Sequence, residues 1–165
     1  MDPVTEREIR ASFVNGTRGD VKRLNVPVDL AERPWESLDF LGWIDPRAPL
    51  QAYVLAPVEG GLAGVQLRRN TTNAGTKRAR MCSLCLTTHP GSGVSLMVAP
   101  RAGQRGRAGN TVGVDVCADL ACSLYVRGRL AAPAMTAAQE TLPVEDRIVR
   151  LQRNLRAFLG RVTAA

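Results

Sequence analysis

Four cysteines in two close pairs constrain this chain more than any other feature. Two residues separate Cys82 from Cys85, and four separate Cys117 from Cys122, which gives the pattern C-x2-C-x31-C-x4-C. The chain contains no other cysteine. Two close pairs with none left over are typical of one tetrahedral zinc site built from four thiolates. Because such a shell leaves no open position for a substrate, we expect one Zn²⁺ with a structural role.

Three other uses of these cysteines remain open from sequence. Oxidation could form two disulfides, but the N-terminal residues M-D-P-V-T-E-R-E contain no apolar signal segment, which favours a cytoplasmic location and reduced thiols. A thioredoxin-like pair at Cys82 and Cys85 requires a strand before it and a helix after it, whereas residues 86–93 read L-T-T-H-P-G-S-G and predict a turn. Unligated thiols are the third alternative. Structural zinc is the interpretation that these observations favour.

The residues around the cysteines predict a treble-clef zinc finger spanning residues 81–130. The first pair is typical of a zinc knuckle, residues 94–99 and 111–116 predict two strands, and residues 119–130 predict a helix. A knuckle, a hairpin and a helix in this order define a treble clef. The second spacing departs from the usual C-x2-C, so we expect Cys117 at the end of a strand and Cys122 in the first helical turn.

Residues outside the finger predict an α+β fold with a mostly antiparallel sheet. Residues 1–80 read as a β-rich part that follows an N-terminal helix, in which Thr5 and Glu8 form a capping box. The predicted helix covers residues 5–15, and the predicted strands cover residues 37–45, 52–56 and 62–69. Pro57 is expected to end the second of these strands. Residues 144–162 carry apolar side chains at helical spacing and predict a C-terminal amphipathic helix. We expect all of these elements to form one domain, 1–165.

The distribution of charge favours an anionic partner. The formal net charge is +7, and residues 68–129 contain ten basic residues but only two acidic ones. A localised positive field suits nucleic acid or an acidic protein surface. Residues 100–110, P-R-A-G-Q-R-G-R-A-G-N, predict a flexible loop in which Arg101, Arg105 and Arg107 contact RNA or an acidic protein; a solvated hairpin tip is the alternative. No apolar run approaches the roughly 20 residues of a membrane span, so we expect no membrane contact.

No motif in the sequence indicates catalysis. His89 is the only histidine, which leaves no basis for a hydrolase triad, and neither a phosphate-binding G-x-x-x-x-G-K-[ST] loop nor an H-E-x-x-H helix is present. His89 could replace a cysteine as a zinc ligand. Because the four thiolates are already a complete set, we expect it on the surface or beside the metal shell. The chain is predicted to be a binding protein and a monomer, not an enzyme.

Two stretches of the finger resemble the elongation factor G-binding proteins, which include the FusB-type fusidic acid resistance proteins. They are M-C-S-L-C-L-T-T-H-P-G-S-G-V-S-L-M-V-A-P-R-A-G at residues 81–103 and N-T-V-G-V-D-V-C-A-D-L-A-C-S-L-Y-V-R-G at residues 110–128. A weaker marker, F-L-G-W-I-D-P, covers residues 40–46. The resemblance implies that the four cysteines bind zinc. It also implies that the protein binds elongation factor G and promotes its release from ribosomes stalled by fusidic acid, without modifying the drug.

The resemblance also suggests where the partner binds. It implies that contacts lie on the finger helix and the C-terminal helix, and we place Tyr125, Arg127 and Phe158 there. The 165 residues leave no room for the helical bundle that precedes the finger in the resistance proteins, so a housekeeping role in translation fits as well as resistance. An RNA- or ribosome-binding finger that uses the arginine-glycine loop is the alternative function.

Overall fold

A five-stranded antiparallel sheet forms the centre of the fold. The computed structural model describes residues 1–70, 78–131 and 140–164. The strands are β1 (Leu41–Ile44), β2 (Gln51–Val58), β3 (Gly61–Arg69), β4 (Arg80–Met81), β5 (Thr88–His89), β6 (Val94–Pro100) and β7 (Thr111–Cys117). The strand order in the sheet is β1-β2-β3-β6-β7, and β4 and β5 form a separate two-stranded ribbon. The helices are α1 (Glu6–Ala11), α2 (Arg18–Arg23), α3 (Gly103–Arg107), α4 (Cys122–Val126) and α5 (Val144–Thr163).

Both faces of the sheet are buried, as β2 illustrates. Val54 belongs to the main core, which contains the four cysteines and the apolar face of α5. Its neighbours Tyr53 and Leu55 point to the opposite face and join a second core with Ile9 and Trp43. Since successive side chains of a strand alternate between faces, a strand that is buried on both sides must be apolar throughout. The finger strands β6 and β7 continue the same sheet, so the finger and the β-rich part share it.

The N-terminal helix is shorter than predicted. The capping box is confirmed, because the Glu8 N–H donates to Thr5 Oγ1 and the Thr5 N–H donates to the Glu8 carboxylate. The helix nevertheless covers Glu6–Ala11 instead of residues 5–15. The Val14 N–H donates to the Gly64 carbonyl at 2.9 Å, and the Gly64 N–H donates to the Ser12 carbonyl at 2.9 Å. This pairing to β3 draws the chain into an extended path, which ends the helix.

Two predicted strand boundaries are corrected. The strand predicted at residues 37–45 begins only at Leu41, because Trp35–Ser37 form a 3-10 turn in which the Leu38 N–H donates to the Trp35 carbonyl. The second strand does not end at Pro57 but continues to Val58. β1 pairs with β2 only as far as Leu55, so Pro57 lies where one side of β2 has no neighbour, and its missing N–H costs no ladder hydrogen bond.

The C-terminal helix agrees with the prediction. α5 covers Val144–Thr163 and packs on α4 and β7. Its buried side chains recur at helical spacing and are Leu151, Leu155, Phe158, Leu159 and Val162. The opposite face of α5 is rich in arginine. Throughout residues 1–70, 78–131 and 140–164, no helix combines the length and apolarity that a membrane span requires.

The segment between β6 and β7 is not the flexible loop that its composition predicts. Residues Gly103–Arg107 form the short helix α3. The Arg101 N–H donates to the Asn110 carbonyl at 2.9 Å, and the Ala102 N–H donates to the Val162 carbonyl at 2.8 Å. The tip of this hairpin is therefore closed on itself and attached to the end of α5. The alanine-rich sequence of residues 131–142 predicts a linker before α5, and this segment lies largely outside the described residues.

Candidate metal centre

The fold brings the four cysteine sulfur atoms together. All four Sγ atoms lie within 4.8 Å of one another, and all four side chains are buried. The Sγ atoms of Cys82 and Cys122 are 3.7 Å apart, and those of Cys85 and Cys117 are 3.5 Å apart. A tetrahedral Zn²⁺ with Zn–S bonds of about 2.3 Å requires S···S separations of roughly 3.8 Å. The donor set and its spacing therefore fit one structural Zn²⁺.

The first pair is held in a knuckle by backbone N–H groups. The N–H groups of Leu84 and Cys85 point at the Cys82 Sγ, at 3.4 and 3.5 Å. The Leu86 N–H closes the turn on the Cys82 carbonyl at 2.9 Å. The Ser83 N–H donates to the carbonyl of Asp115 on β7 at 2.7 Å, which positions the knuckle against the strand that carries Cys117. These contacts within the protein orient Cys82 and Cys85 without help from a metal ion.

The four-residue spacing of the second pair has a structural explanation. Cys117 ends β7 and Cys122 begins α4, as predicted. Between them the Leu120 N–H donates to the Cys117 carbonyl at 2.9 Å, and Leu120 adopts a left-handed φ of 59°. The backbone reverses here, so the helix begins at Cys122 and ends at Val126, not at the predicted residues 119 and 130. Leu120 packs on Gly42, where an added Cβ would lie 2.5 Å from the Leu120 Cβ.

Two side chains contact the sulfur atoms without being ligands. His89 is buried, and its Nε2 lies 3.3 Å from the Cys117 Sγ. The Thr87 Oγ1 lies 3.3 Å from the Cys85 Sγ. When the sulfur atoms are metal-bound thiolates, the His89 N–H and the Thr87 O–H can donate to them and hold them in position. His89 is thus beside the metal shell, one of the two places expected for it, and not on the surface.

The surroundings of the sulfur atoms shift the pKa of nearby groups. Hydrogen bonds from the side chains of Cys117 and Cys122 lower the pKa of the Cys82 thiol, whereas hydrogen bonds from Cys117 and Cys82 raise the pKa of the Cys122 thiol, so without a metal the four thiols do not all ionise together. Burial, followed by its hydrogen bond to Asp119, raises the pKa of Tyr125. The Tyr125 hydroxyl donates to Asp119 Oδ2 at 2.8 Å, and its ring packs edge-on against His89 at 4.8 Å. Tyr125 therefore helps to position His89, which in turn contacts the Cys117 sulfur.

Replacement of His89 should weaken zinc binding without removing the site. We expect His89→Phe, which keeps a ring of similar size but loses the Nε2–H donor, to lower zinc affinity by about 10- to 100-fold, as is usual for partners of metal ligands. The measurement is zinc transfer to a competing chromogenic chelator at pH 7. Tyr125→Phe, which leaves the contact between the two rings, is the control and should change affinity less than about threefold. Equal affinities for wild type and His89→Phe would contradict the assigned role.

Of the residues placed on the partner surface, Phe158 is buried and Arg127 is engaged within the protein. Phe158 is only 1% exposed and belongs to the main core. The Arg127 side chain is 17% exposed and forms an ion pair with Asp39, with Nη1 2.5 Å from Oδ2. Tyr125 is half-buried and has the contacts described above. The position of Phe158 on the contact surface is corrected, and Arg127 is primarily engaged inside the protein.

Asp39 is a structural residue that the sequence did not single out. Its side chain is 2% exposed and accepts from Arg127 after α4 and from Gln152 of α5, whose Nε2 lies 2.8 Å from Oδ1. The Asp39 N–H donates to Ser123 Oγ at 2.9 Å. One carboxylate therefore joins the β-rich part, the finger helix and α5. The only signal in the sequence is an acid within the apolar run S-L-D-F-L.

The three arginines of the 100–110 segment lie together at the tip of the β6–β7 hairpin. Arg101 is half-buried, whereas Arg105 and Arg107 are exposed on α3. The ion pairs within the described residues involve other arginines. The structure thus leaves the three guanidinium groups available, but places them on an ordered turn.

Comparisons with known proteins give the same answer as the geometry. Residues 8–162 match the family described as the FBP C-terminal treble-clef zinc-finger. The structure is similar to that of the fusidic acid resistance protein FusC, with a TM-score of 0.50 and 15% identity over 88% of this chain and 53% of FusC. At this identity the likeness concerns the fold, and the chain spans about half of FusC. A comparison with curated proteins gave no significant match. Because the family match covers nearly the whole chain and includes the four clustered thiols, this protein belongs to the FBP C-terminal treble-clef zinc-finger family.

Proposed function

We propose that this protein binds elongation factor G through its zinc finger and α5. Membership of the FBP C-terminal family, matched over residues 8–162, is the observation that carries the proposal. The similarity in fold to FusC, a fusidic acid resistance protein, supports it. Binding would release the factor from stalled ribosomes in the cytoplasm, with one monomer for each factor. The outcome for the cell is resistance to fusidic acid or a housekeeping role in translation.

The proposed contact surface is the exposed side of α5 beside the zinc knuckle. Two side chains of α5 fix the helix to the knuckle: Asn154 donates to the Leu84 carbonyl at 2.9 Å, and Arg150 approaches the Cys85 carbonyl at 3.5 Å. The zinc site thereby sets the position of this helix. On the solvent side, Val149 is 60% exposed and Arg153, four residues later, is exposed as well.

This surface has the composition of a protein interface. An apolar side chain flanked by arginine is typical of contact centres, in which a few residues supply most of the binding energy. Arg153 and Arg156 on the same helix are exposed and give it a positive charge suited to an acidic partner. Val149 is the residue best suited to a test, because its exposure allows a change without disturbing the core.

Replacement of Val149 should weaken the complex. We expect Val149→Asp to lower affinity for elongation factor G by at least about tenfold, because it places a charge in the apolar centre of the contact. The measurement is calorimetric titration of zinc-loaded protein into purified elongation factor G from the same source at physiological salt. Wild type should give a saturable one-to-one signal.

Val28→Asp is the matched control. Val28 is the same residue type and is 104% exposed, but lies in the segment between α2 and β1, away from α5 in the chain. It should change affinity less than about twofold, the usual effect of a change outside the contact centre. Equal losses of affinity in Val149→Asp and Val28→Asp would show that the contact surface does not lie at Val149. Absence of heat with wild-type protein at micromolar concentrations would reject elongation factor G as the partner.

A further inference from the structure

A cavity of about 620 Å³ lies between the β6–β7 hairpin tip, the end of β3 and the segment before α2. Arg68, Arg101 and Arg107 line it, together with the polar side chains of Asn15 and Gln66. None of the four zinc ligands contributes to its wall. Its size is within the range of small-molecule sites. Arg68 on β3 and two arginines of the hairpin tip, more than 30 residues later in the sequence, therefore face one concave space.

The positive charge of this cavity is not neutralised by the protein. Within the described residues, none of the three arginines forms an ion pair, since the acids that pair do so with other arginines. Asp20 is the one carboxylate in the wall. Its oxygens already accept from Thr17 at 2.6 and 3.0 Å and from Arg23 at 2.9 Å. Asp20 is therefore committed to capping α2, and the wall keeps a net positive charge.

The backbone of the hairpin tip, which carries Arg101 and Arg107, is ordered before any ligand arrives. The Asn15 amide donates to the Pro100 carbonyl at 2.9 Å and to the Gln66 carbonyl at 3.0 Å, which connects the hairpin to β3 across the cavity. At Gly106 an added Cβ would lie 1.8 Å from the Arg101 carbonyl oxygen, so only glycine allows α3 to close over Arg101. Ordering the site in the free protein lowers the entropic cost of binding.

The chemistry of the wall indicates a phosphate ligand. Guanidinium groups bind phosphate oxygens through paired N–H donors, and several around one concave site suit an anion of more than one charge. None of the residues that line the cavity is aromatic, so the wall offers no surface on which a base could stack. We propose that this cavity binds the phosphate groups of RNA, with Arg68, Arg101 and Arg107 as the contacts and without base specificity. This site is separate from the surface proposed for elongation factor G.

The test compares two double variants with the same loss of charge. Arg68→Gln with Arg107→Gln removes two exposed arginines of the cavity, whereas Arg7→Gln with Arg47→Gln removes two exposed arginines outside its wall. The probe is a fluorescently labelled single-stranded RNA of 12 nucleotides, bound to the zinc-loaded full chain at several salt concentrations. We expect the cavity variant to lose at least about tenfold in affinity and about 1.4 in the slope of log K against log salt, the value for two phosphate contacts.

The control variant should lose less than about threefold in affinity and keep the slope. Equal losses in the two variants would mean that a diffuse positive field binds RNA, and would overturn the cavity assignment. Absence of RNA binding by wild type would overturn it as well, as would equally tight binding of a 12-residue polyglutamate, which would indicate an acidic protein segment instead. Inorganic pyrophosphate distinguishes the source of phosphate: displacement of RNA from both wild type and the control variant supports the cavity, whereas binding of pyrophosphate with no RNA binding rejects RNA.

Discussion

Removal of zinc is expected to unfold the finger, residues 81–130, and is the largest single effect that the structure predicts. The four sulfur atoms are buried within 4.8 Å of one another, so deprotonated thiols without a metal would repel each other in the protein interior. β4 and β5 contain only two residues each and cannot hold the knuckle by themselves. Structural zinc sites contribute apparent binding energies of about 10–16 kcal/mol, comparable to the whole stability of a domain at about 5–15 kcal/mol.

Circular dichroism and intrinsic fluorescence should separate loss of the finger from loss of the whole fold. The four cysteines belong to the main core with α5, whereas Trp35 and Trp43 belong to the second core on the other face of the sheet. If the sheet transmits the collapse, tryptophan emission shifts together with the loss of helical signal as a strong chelator is added. A shift that lags behind the helical signal would show that the second core survives without the finger.

Cys82→Ser is the corresponding variant, and Ser83→Ala is its control. Ser83 is exposed, and only its backbone N–H contributes to the knuckle, so its hydroxyl should be dispensable. Metal analysis of the wild type and of Ser83→Ala should give one zinc per chain and the same thermal transition. Cys82→Ser should lose both. A Cys82→Ser protein that keeps stoichiometric zinc and its transition would contradict the assignment of the ligands.

The features that could be predicted from sequence are those set by neighbouring residues. The capping box of Thr5 and Glu8 lies within one turn of chain, the apolar period of α5 repeats along a single helix, and each cysteine pair has its own short spacing. The 100–110 segment was mispredicted because its glycines and arginines suggest mobility. Its order comes from distant residues, since Val162 of α5 and Asn15 hold the hairpin tip.

Phe158 shows how a resemblance can override a sound local signal. Its position among Leu151, Leu155, Leu159 and Val162 already predicts a buried side chain, because all five recur on one helical face. The family resemblance instead suggested a contact residue on α5. The structure agrees with the helical period of apolar residues, because Phe158 is buried. Arg127 is different, because nothing local indicates that its partner is Asp39, 88 residues earlier in the chain.

Loss of the Asp39 carboxylate is expected to be the most destabilising change away from the metal. Asp39→Asn keeps the shape of the side chain but leaves Arg127, only 17% exposed, without its counter-charge. Breaking one side of a buried ion pair typically costs about 3–5 kcal/mol, because the remaining charge stays buried and unpaired. We expect a fall of this size in the free energy of unfolding, measured by urea denaturation of zinc-loaded protein.

A nearby pair supplies the control for this change. Glu36 and Arg129 are 4.0 Å apart, and both are well exposed, so Glu36→Gln should change the free energy of unfolding by less than about 1 kcal/mol. Removing both buried charges, with Asp39→Leu and Arg127→Met, should restore more than half of the loss, because no unpaired charge remains. A double variant as unstable as Asp39→Asn alone would show that packing around Gln152, not charge, accounts for the effect.

The same variants decide whether Arg127 also meets the partner. If Arg127 acts only within the protein, Arg127→Met lowers the free energy of unfolding, yet the folded fraction binds elongation factor G as tightly as wild type. If Arg127→Met retains its stability and loses the complex, Arg127 is a contact residue and the structural role is wrong. The difference matters for every substitution in this finger, because hydrogen bonds of Asp39, which lies just before β1, connect it to Ser123 in α4, to Arg127 and to Gln152 in α5. A change that breaks these hydrogen bonds would abolish binding by destabilising the fold. Only a stability measurement would distinguish this effect from the loss of a direct contact with the partner.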